Sequence, residues 1–171
     1  MQYLCKKKIE MDKIIGMGNA LVDVLATLND DQILNEMGRF MAAELATTDF
    51  FEGIDVIIPV PLHPRKRKAR GYNQSEWIAR GVSQVVGLPV DVSSMIREKH
   101  TDTQTRKSTY ERWENVDGIF RLRHPENFVG KHVLIIDDVL TTGSTTTACA
   151  DVFHEVEGVR ISVLTLAVAE G

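Results

Sequence analysis

Val133-Leu134-Ile135-Ile136-Asp137-Asp138-Val139-Leu140-Thr141-Thr142-Gly143-Ser144-Thr145 reads as a buried strand, two adjacent carboxylates and a Thr/Gly/Ser loop that opens a helix. Backbone N–H groups at a helix start have no intrahelical partner, and the helix dipole favours an anion there. The hydroxyls of Thr141, Thr142, Ser144 and Thr145 add donors, and Gly143 lets the backbone approach a ligand closely. Two carboxylates do not hold a phosphate, but they suit the neighbouring hydroxyl pair of a sugar. The ligand this segment describes is a sugar phosphate. The alternative, an ordinary strand with an Asp-rich helix cap, needs strand, paired acids and loop to coincide in order by chance.

Outward from this stretch, the chain alternates strand and helix from about residue 54. Asp55-Val56-Ile57-Ile58-Pro59-Val60 is a short β-branched run ending at prolines. Asn73 with Glu76 three residues on predicts a capped helix start, with Trp77, Ile78, Gly81, Val82 and Val85 on one face. Val90 to Ile96 reads as another strand. Residues 98–117 are polar and nearly free of aliphatics, which predicts a long loop of the functional or disordered kind. The helix after the signature carries Ala148, Cys149, Val152, Phe153 and Val156 on one stripe, and Val159 to Ala169 reads as the closing strand, or as two with a bend. This alternation predicts an α/β fold with a doubly wound, mostly parallel sheet. Ligands bind such sheets at the carboxyl ends of the strands, where the Asp pair lies.

A basic cluster follows the first clear strand: Pro61-Leu62-His63-Pro64-Arg65-Lys66-Arg67-Lys68-Ala69-Arg70-Gly71-Tyr72-Asn73-Gln74. Prolines donate no hydrogen bonds, so a backbone cradle here would come from Leu62, His63 or Arg65, and an X–Pro bond in such a loop tolerates the cis form. Most of the five cations read as solvated charge. Arg65 and Arg70 are the two expected to face an anionic ligand, and a nucleic-acid patch is the rival reading.

At 171 residues and net charge −4, the chain has the length of one domain and the composition of a globular protein. No apolar run approaches a membrane span, and Met1 to Lys8 lacks the apolar stretch of a secretory signal. Cys5 and Cys149 share no metal-ligand spacing, and Cys149 falls on an apolar stripe as a packed small hydrophobe. A cytoplasmic location is the expectation.

The stretch ending in Asp137 to Thr145 resembles the phosphoribosyl-pyrophosphate (PRPP) signature of type I phosphoribosyltransferases. The resemblance implies that Asp137 and Asp138 bind the ribose hydroxyls, and that Thr141, Thr142, Gly143, Ser144 and Thr145 bind the 5′-phosphate. It places a pyrophosphate loop at Leu62, His63, Arg65 and Arg70. Further motifs narrow the likeness: Pro-Val-Pro-Leu-His-Pro, Arg-Gly-Tyr-Asn-Gln, Arg97-x-Lys99-x-Thr101-x-x-Gln104, and Asn115-x-x-Gly118-x-Phe120. Together with the signature they are similar to the ComF family, phosphoribosyltransferase-fold relatives linked in many bacteria to competence and DNA uptake. The polar loop then corresponds to the flexible loop that folds over PRPP. Arg97, Lys99 and Arg106 are its candidate phosphate contacts, against solvated loop charges as the alternative.

The ComF-like pattern runs from about residue 38 to the end, so residues 1–37 are read as an atypical N-terminal segment and 38–171 as the phosphoribosyltransferase-like domain. ComF proteins commonly begin with a cysteine-rich zinc module; no Cys-x-x-Cys occurs here. Met11 to Val24 instead resembles the opening strands of ribokinase-like (PfkB) sugar kinases, in which the Asp matching Asp23 binds sugar hydroxyls. Nothing downstream matches the kinase anion hole or base, so kinase chemistry is not expected. A helix is expected from Asp31 to Ala46, with Ile33, Leu34, Met37, Phe40, Met41 and Leu45 turned inward.

The resemblance implies attack of a nucleophile on the anomeric carbon of PRPP with release of pyrophosphate, Mg²⁺ being bound through PRPP and not by a dedicated protein cluster. No catalytic residue is assignable. Thr141 stands where 6-oxopurine salvage enzymes carry a base-contacting carboxylate, which disfavours that substrate class. Two functions stand open: a phosphoribosyltransferase with an unnamed acceptor, or a non-catalytic PRPP- or nucleic-acid-binding component of DNA uptake, with single-stranded DNA or competence proteins as partners. Homodimers are common in this fold class, and the analogy extends to this chain.

Overall fold

The computed structural model describes residues 29–98 and 118–169, together with the backbone of 11–16. Four parallel strands form the main sheet: β1 (Met11–Gly16), β6 (Arg160–Val168), β5 (His132–Leu140) and β2 (Val56–Pro59), in that spatial order. Parallel neighbours need crossovers, and helices supply them. Helices α1 (Asp30–Leu45) and α3 (Gln74–Val86) lie on one face and α4 (Ser144–Asp151) on the other. A short helix α2 (Pro64–Arg70) follows β2, and a 3₁₀ turn spans Pro125–Phe128.

Period-two alternation in β5 explains the two layers. Val133 and Ile135 join Ala148, Cys149 and Phe153 in one core. Leu134 and Ile136 join Met41, Ala42, Ile78 and Val82 in the other. All four strand residues are fully buried, as a central parallel strand requires. The expected doubly wound sheet is thus the one observed, and β1 extends it at the edge. The boundary expected at residues 37/38 falls inside α1, which is one continuous helix with an Asn29–Gln32 capping box.

α1 and α3 cross at unusually short range through two glycines. A Cβ on Gly38 would lie 2.2 Å from the Ile78 carbonyl oxygen, and one on Gly81 would lie 2.1 Å from that of Asn35. Neither backbone could stand so close to any larger residue. Asn35 adds a hydrogen bond from Nδ2 to the Trp77 carbonyl (3.3 Å).

Local readings give way in several places, Val85 of α3 among them, which is 39% exposed where the inward face was expected. Phe40, expected inward, is 41% exposed, because the close crossing at Gly38 turns Met41 and Ala42 to the sheet instead. The run Val90–Ile96 divides: Val90 makes one bridge to Ile57, while β3 (Met95–Arg97) pairs antiparallel with β4 (Phe120–Leu122) as a separate ribbon. The last turns of the stripe after Asp151 tighten to i→i+3 bonds, such as Phe153 N to Ala150 O, yet keep Phe153 buried. β6 is one unbroken strand.

Candidate functional site

β2 and β5 are in register, Pro59 opposite Ile136, so both strands end at the same edge of the sheet. Helix α3, which comes after β2 and α2, covers one face, and α4, which follows β5, covers the other. Such divergence opens a crevice at the carboxyl ends of the strands. Asp137 and Asp138 lie there, with the loop 141–143 beyond them.

The two acids are not equivalent. Asp137 is 8% exposed and Asp138 is half-buried. Oδ1 of Asp137 accepts from the Ser75 hydroxyl (3.1 Å) and from the Asp138 amide (3.0 Å). Oδ1 of Asp138 accepts from the Val139 amide (2.8 Å). Burial, and then the neighbouring Asp138 charge, push the Asp137 carboxyl up to about 7; the Asp138 side chain adds to the rise, and the hydrogen bonds from the Asp138 amide and Ser75 oppose it. Thr165 of β6 is in register with Asp137 and buries its hydroxyl without a hydrogen-bond partner among the described residues.

The loop takes the strand–turn–helix form read from its sequence. Thr141, Thr142 and Thr145 are exposed, and Gly143 and Ser144 half-buried. Gly143 is the N-cap residue of α4 at φ +77°, a left-handed conformation that glycine adopts without strain. The glycine N-cap offers no side chain to this helix start, and the Thr142 hydroxyl accepts from the Ser144 amide at 3.4 Å. The hydroxyls of Thr142 and Ser144 lie 2.8 Å apart, turned towards each other at the exposed tip. An anion placed there would meet hydroxyl donors, helix-start amides and the positive end of the helix dipole.

The basic segment is a helix where an irregular cradle was expected. Pro64 occupies the first turn, where its missing N–H costs nothing, and His63 caps the helix by accepting the Arg65 amide on Nδ1 (3.2 Å). The Arg65 N–H is therefore engaged within the protein. Leu62 and His63 are half-buried at the end of β2; the side chains of Arg65 and Arg70 are exposed, with Arg70 donating to Gln74. Arg67 turns to Glu76 (3.2 Å), which also holds Arg80 (2.8 Å). No cis peptide occurs among the described residues.

The expected Asn73–Glu76 capping box does not form. Asn73 is the N-cap residue of α3, but its side chain is buried and donates to the Val60 carbonyl (3.0 Å), while Glu76 serves the two arginines. Arg97 is half-buried at the base of the polar loop. Its guanidinium lies 5.3 Å from the centre of the Phe120 ring, and burial lowers its pKa, while a negative charge on the neighbouring Cys149 or Asp137 would act the other way. Lys99 and Arg106 lie outside the described residues. Sequence reading missed Ser75, although it directly follows the Arg-Gly-Tyr-Asn-Gln motif. Cys149 is fully buried, and burial raises its thiol pKa.

Residues 69–170 match the model of the phosphoribosyl transferase domain. The chain is 33% identical over 128 residues to DNA utilization protein YhgH of Salmonella typhi, covering 73% of this chain and 56% of that protein. It is 38% identical over 92 residues to Competence protein F of Haemophilus influenzae, covering 53% of this chain and 40% of that protein. The chain therefore spans about half the length of the curated relatives it matches. A crystal structure of adenine phosphoribosyltransferase superposes with a TM-score of 0.51 at 14% identity, over 82% of this chain and 70% of that one, a likeness of fold. These relatives give no support to the sugar-kinase likeness of residues 11–37; β1 is instead the edge strand of the sheet.

Proposed function

Because this chain belongs to the phosphoribosyl transferase domain family, we propose that it binds PRPP and transfers the phosphoribosyl group to an acceptor, releasing pyrophosphate. The observation that carries this reading is the glycine-started, hydroxyl-lined beginning of α4 beside the Asp137–Asp138 pair at the carboxyl end of a central parallel strand. The diol falls to the two aspartates and the 5′-phosphate to Thr141 through Thr145. Arg65 and Arg70 are the exposed cations that could reach the leaving diphosphate, with Arg97, Lys99 and Arg106 on the loop side.

Mg²⁺ belongs to this reading as a companion of PRPP. Among the described residues no group of three or more His, Cys, Asp or Glu could hold an ion alone. An ion that keeps several waters and is held by the substrate's own oxygens needs no protein cluster, which leaves the carboxylate pair to the diol. The ComF-like assignment rests on the likeness to Competence protein F and its motifs.

The test is thermal stabilisation of the chain by PRPP with Mg²⁺. A ligand at a hundred times its Kd adds about 2.7 kcal/mol to the native state. Stabilisation that disappears in the Asp137→Asn, Asp138→Asn double variant supports the site. No stabilisation of the wild type rejects it. Pyrophosphate release on adding an acceptor then separates transfer from binding.

A second reading, a binding component of DNA uptake, draws on the exposed cations of α2 and the names of the relatives. It requires a salt-dependent mobility shift of single-stranded DNA that is lost when Arg65, Lys68 and Arg70 are neutralised.

A further inference from the structure

We propose that Ser75 is a positioning residue, holding the Asp137 carboxylate in one orientation from the facing helix so that its second oxygen is presented to the ligand diol. The inference rests on the PRPP reading and adds a residue to that site. Ser75 is 4% exposed, and its hydroxyl donates to Oδ1 of Asp137 at 3.1 Å, bridging 62 positions of sequence. The Asp138 amide donates to the same oxygen at 3.0 Å. The Ser75 hydroxyl and the Asp138 amide thus both fall on Oδ1, while the Asp138 carboxyl also acts on this side chain and favours its protonated form. A carboxylate with one oxygen anchored twice has lost rotation about its terminal bond before any ligand arrives.

The hydroxyl is itself placed by the strand end. Asn73, two residues before Ser75, donates to the Val60 carbonyl at 3.0 Å, and the Val60 amide donates to the Ile136 carbonyl at 2.8 Å. Val60 directly follows β2, and Ile136 directly precedes Asp137. The start of α3, the end of β2 and the end of β5 are therefore tied in one short network. This gives Asn73 and Ser75 work at the site different from capping a helix.

The hydrogen bonds from Ser75 and the Asp138 amide favour the charged form of Asp137, while burial and the Asp138 carboxyl oppose it; Arg97 of β3 and Cys149 of α4 also lie within its field. Loss of the hydroxyl therefore has a signature that loss of packing lacks. In ligand-free protein labelled with ¹³C at Asp side-chain carboxyls, Ser75→Ala raises the Asp137 titration midpoint by roughly half to one pH unit, and Ser75→Thr, which keeps the hydroxyl, returns it towards wild type. The pH midpoint of PRPP binding moves upward with it. An Asp137 midpoint that is unchanged in folded Ser75→Ala overturns the proposal, whatever PRPP does. Should the alanine variant not fold, Ser75→Cys, a weaker donor of similar size, raises the midpoint on the same reasoning, and an unmoved midpoint there is equally fatal. Wild-type protein whose Asp137 midpoint responds in this way but which PRPP does not stabilise overturns the PRPP reading alone.

Discussion

Asp137→Asn should make this protein more stable at neutral pH. The carboxyl is 8% exposed and is pushed from 3.8 up to about 7, first by burial and then by Asp138. The folded state therefore keeps a proton that the unfolded chain has already released. Its stabilising contribution is fully present below the unfolded pKa and is lost as pH rises through the folded one. Each pH unit between the two values is worth 1.36 kcal/mol. The interval from 3.8 to about 7 thus corresponds to a loss of up to about 4 kcal/mol in the wild type by pH 8. Asparagine has nearly the same shape, accepts from Ser75 and Asp138 as before, and does not ionise. Urea denaturation from pH 4.5 to 8.5 gives the free energies directly. The difference between variant and wild type should be within about 1 kcal/mol near pH 4.5 and grow to about 2–4 kcal/mol in favour of the variant by pH 8. A difference that stays constant across this range would refute the assigned titration. The same site should take a sugar diol best when ionised, so PRPP affinity in the wild type should rise as pH passes through about 7. Greater stability with lost PRPP binding in one variant is the expected signature of a residue held against its own solvation for a ligand.

Three further outcomes follow from particular contacts. Gly81→Ala places a Cβ 2.1 Å from the Asn35 carbonyl oxygen and should cost about 2–4 kcal/mol in urea denaturation, since backbone on both helices must shift; a cost below about 0.5 kcal/mol would contradict the crossing described. Gly143→Ala has room for its methyl but not the backbone preference for φ +77°, so it should cost about 1–2 kcal/mol and shrink the PRPP-dependent rise in Tm; an unchanged rise would remove the α4 start from the phosphate site. Arg67→Ala and Arg80→Ala should each cost under about 1 kcal/mol because both side chains are about half exposed, but together they strand the largely buried Glu76 and should exceed their sum by roughly 1 kcal/mol; strict additivity in a double-mutant cycle would show that the two act independently.

The strand–turn–helix around Asp137 was legible because its signals are local. A β-branched apolar run, a glycine suited to positive φ and hydroxyl residues at a helix start all lie within thirteen consecutive residues. The two-layer core was legible for a similar reason, since alternation along β5 already assigns successive residues to opposite faces. Asn73 and Glu76 show where locality fails. Their spacing suits a capping box, yet each finds a partner elsewhere: Asn73 at Val60, Glu76 at Arg67 and Arg80. Polar side chains near a helix start have several outlets of comparable energy, and packing chooses among them.

By itself the sequence determined the alternating order of strands and helices, the family, and the chemical character of the signature loop, because each depends on short-range spacing. Only the tertiary structure decided that Asp137 is buried while Asp138 is half-buried, that Ser75 reaches it from another helix, and that Gly38 and Gly81 bring two backbones together. Those facts depend on how elements distant in sequence are placed against one another, and no residue carries that placement in its own neighbourhood.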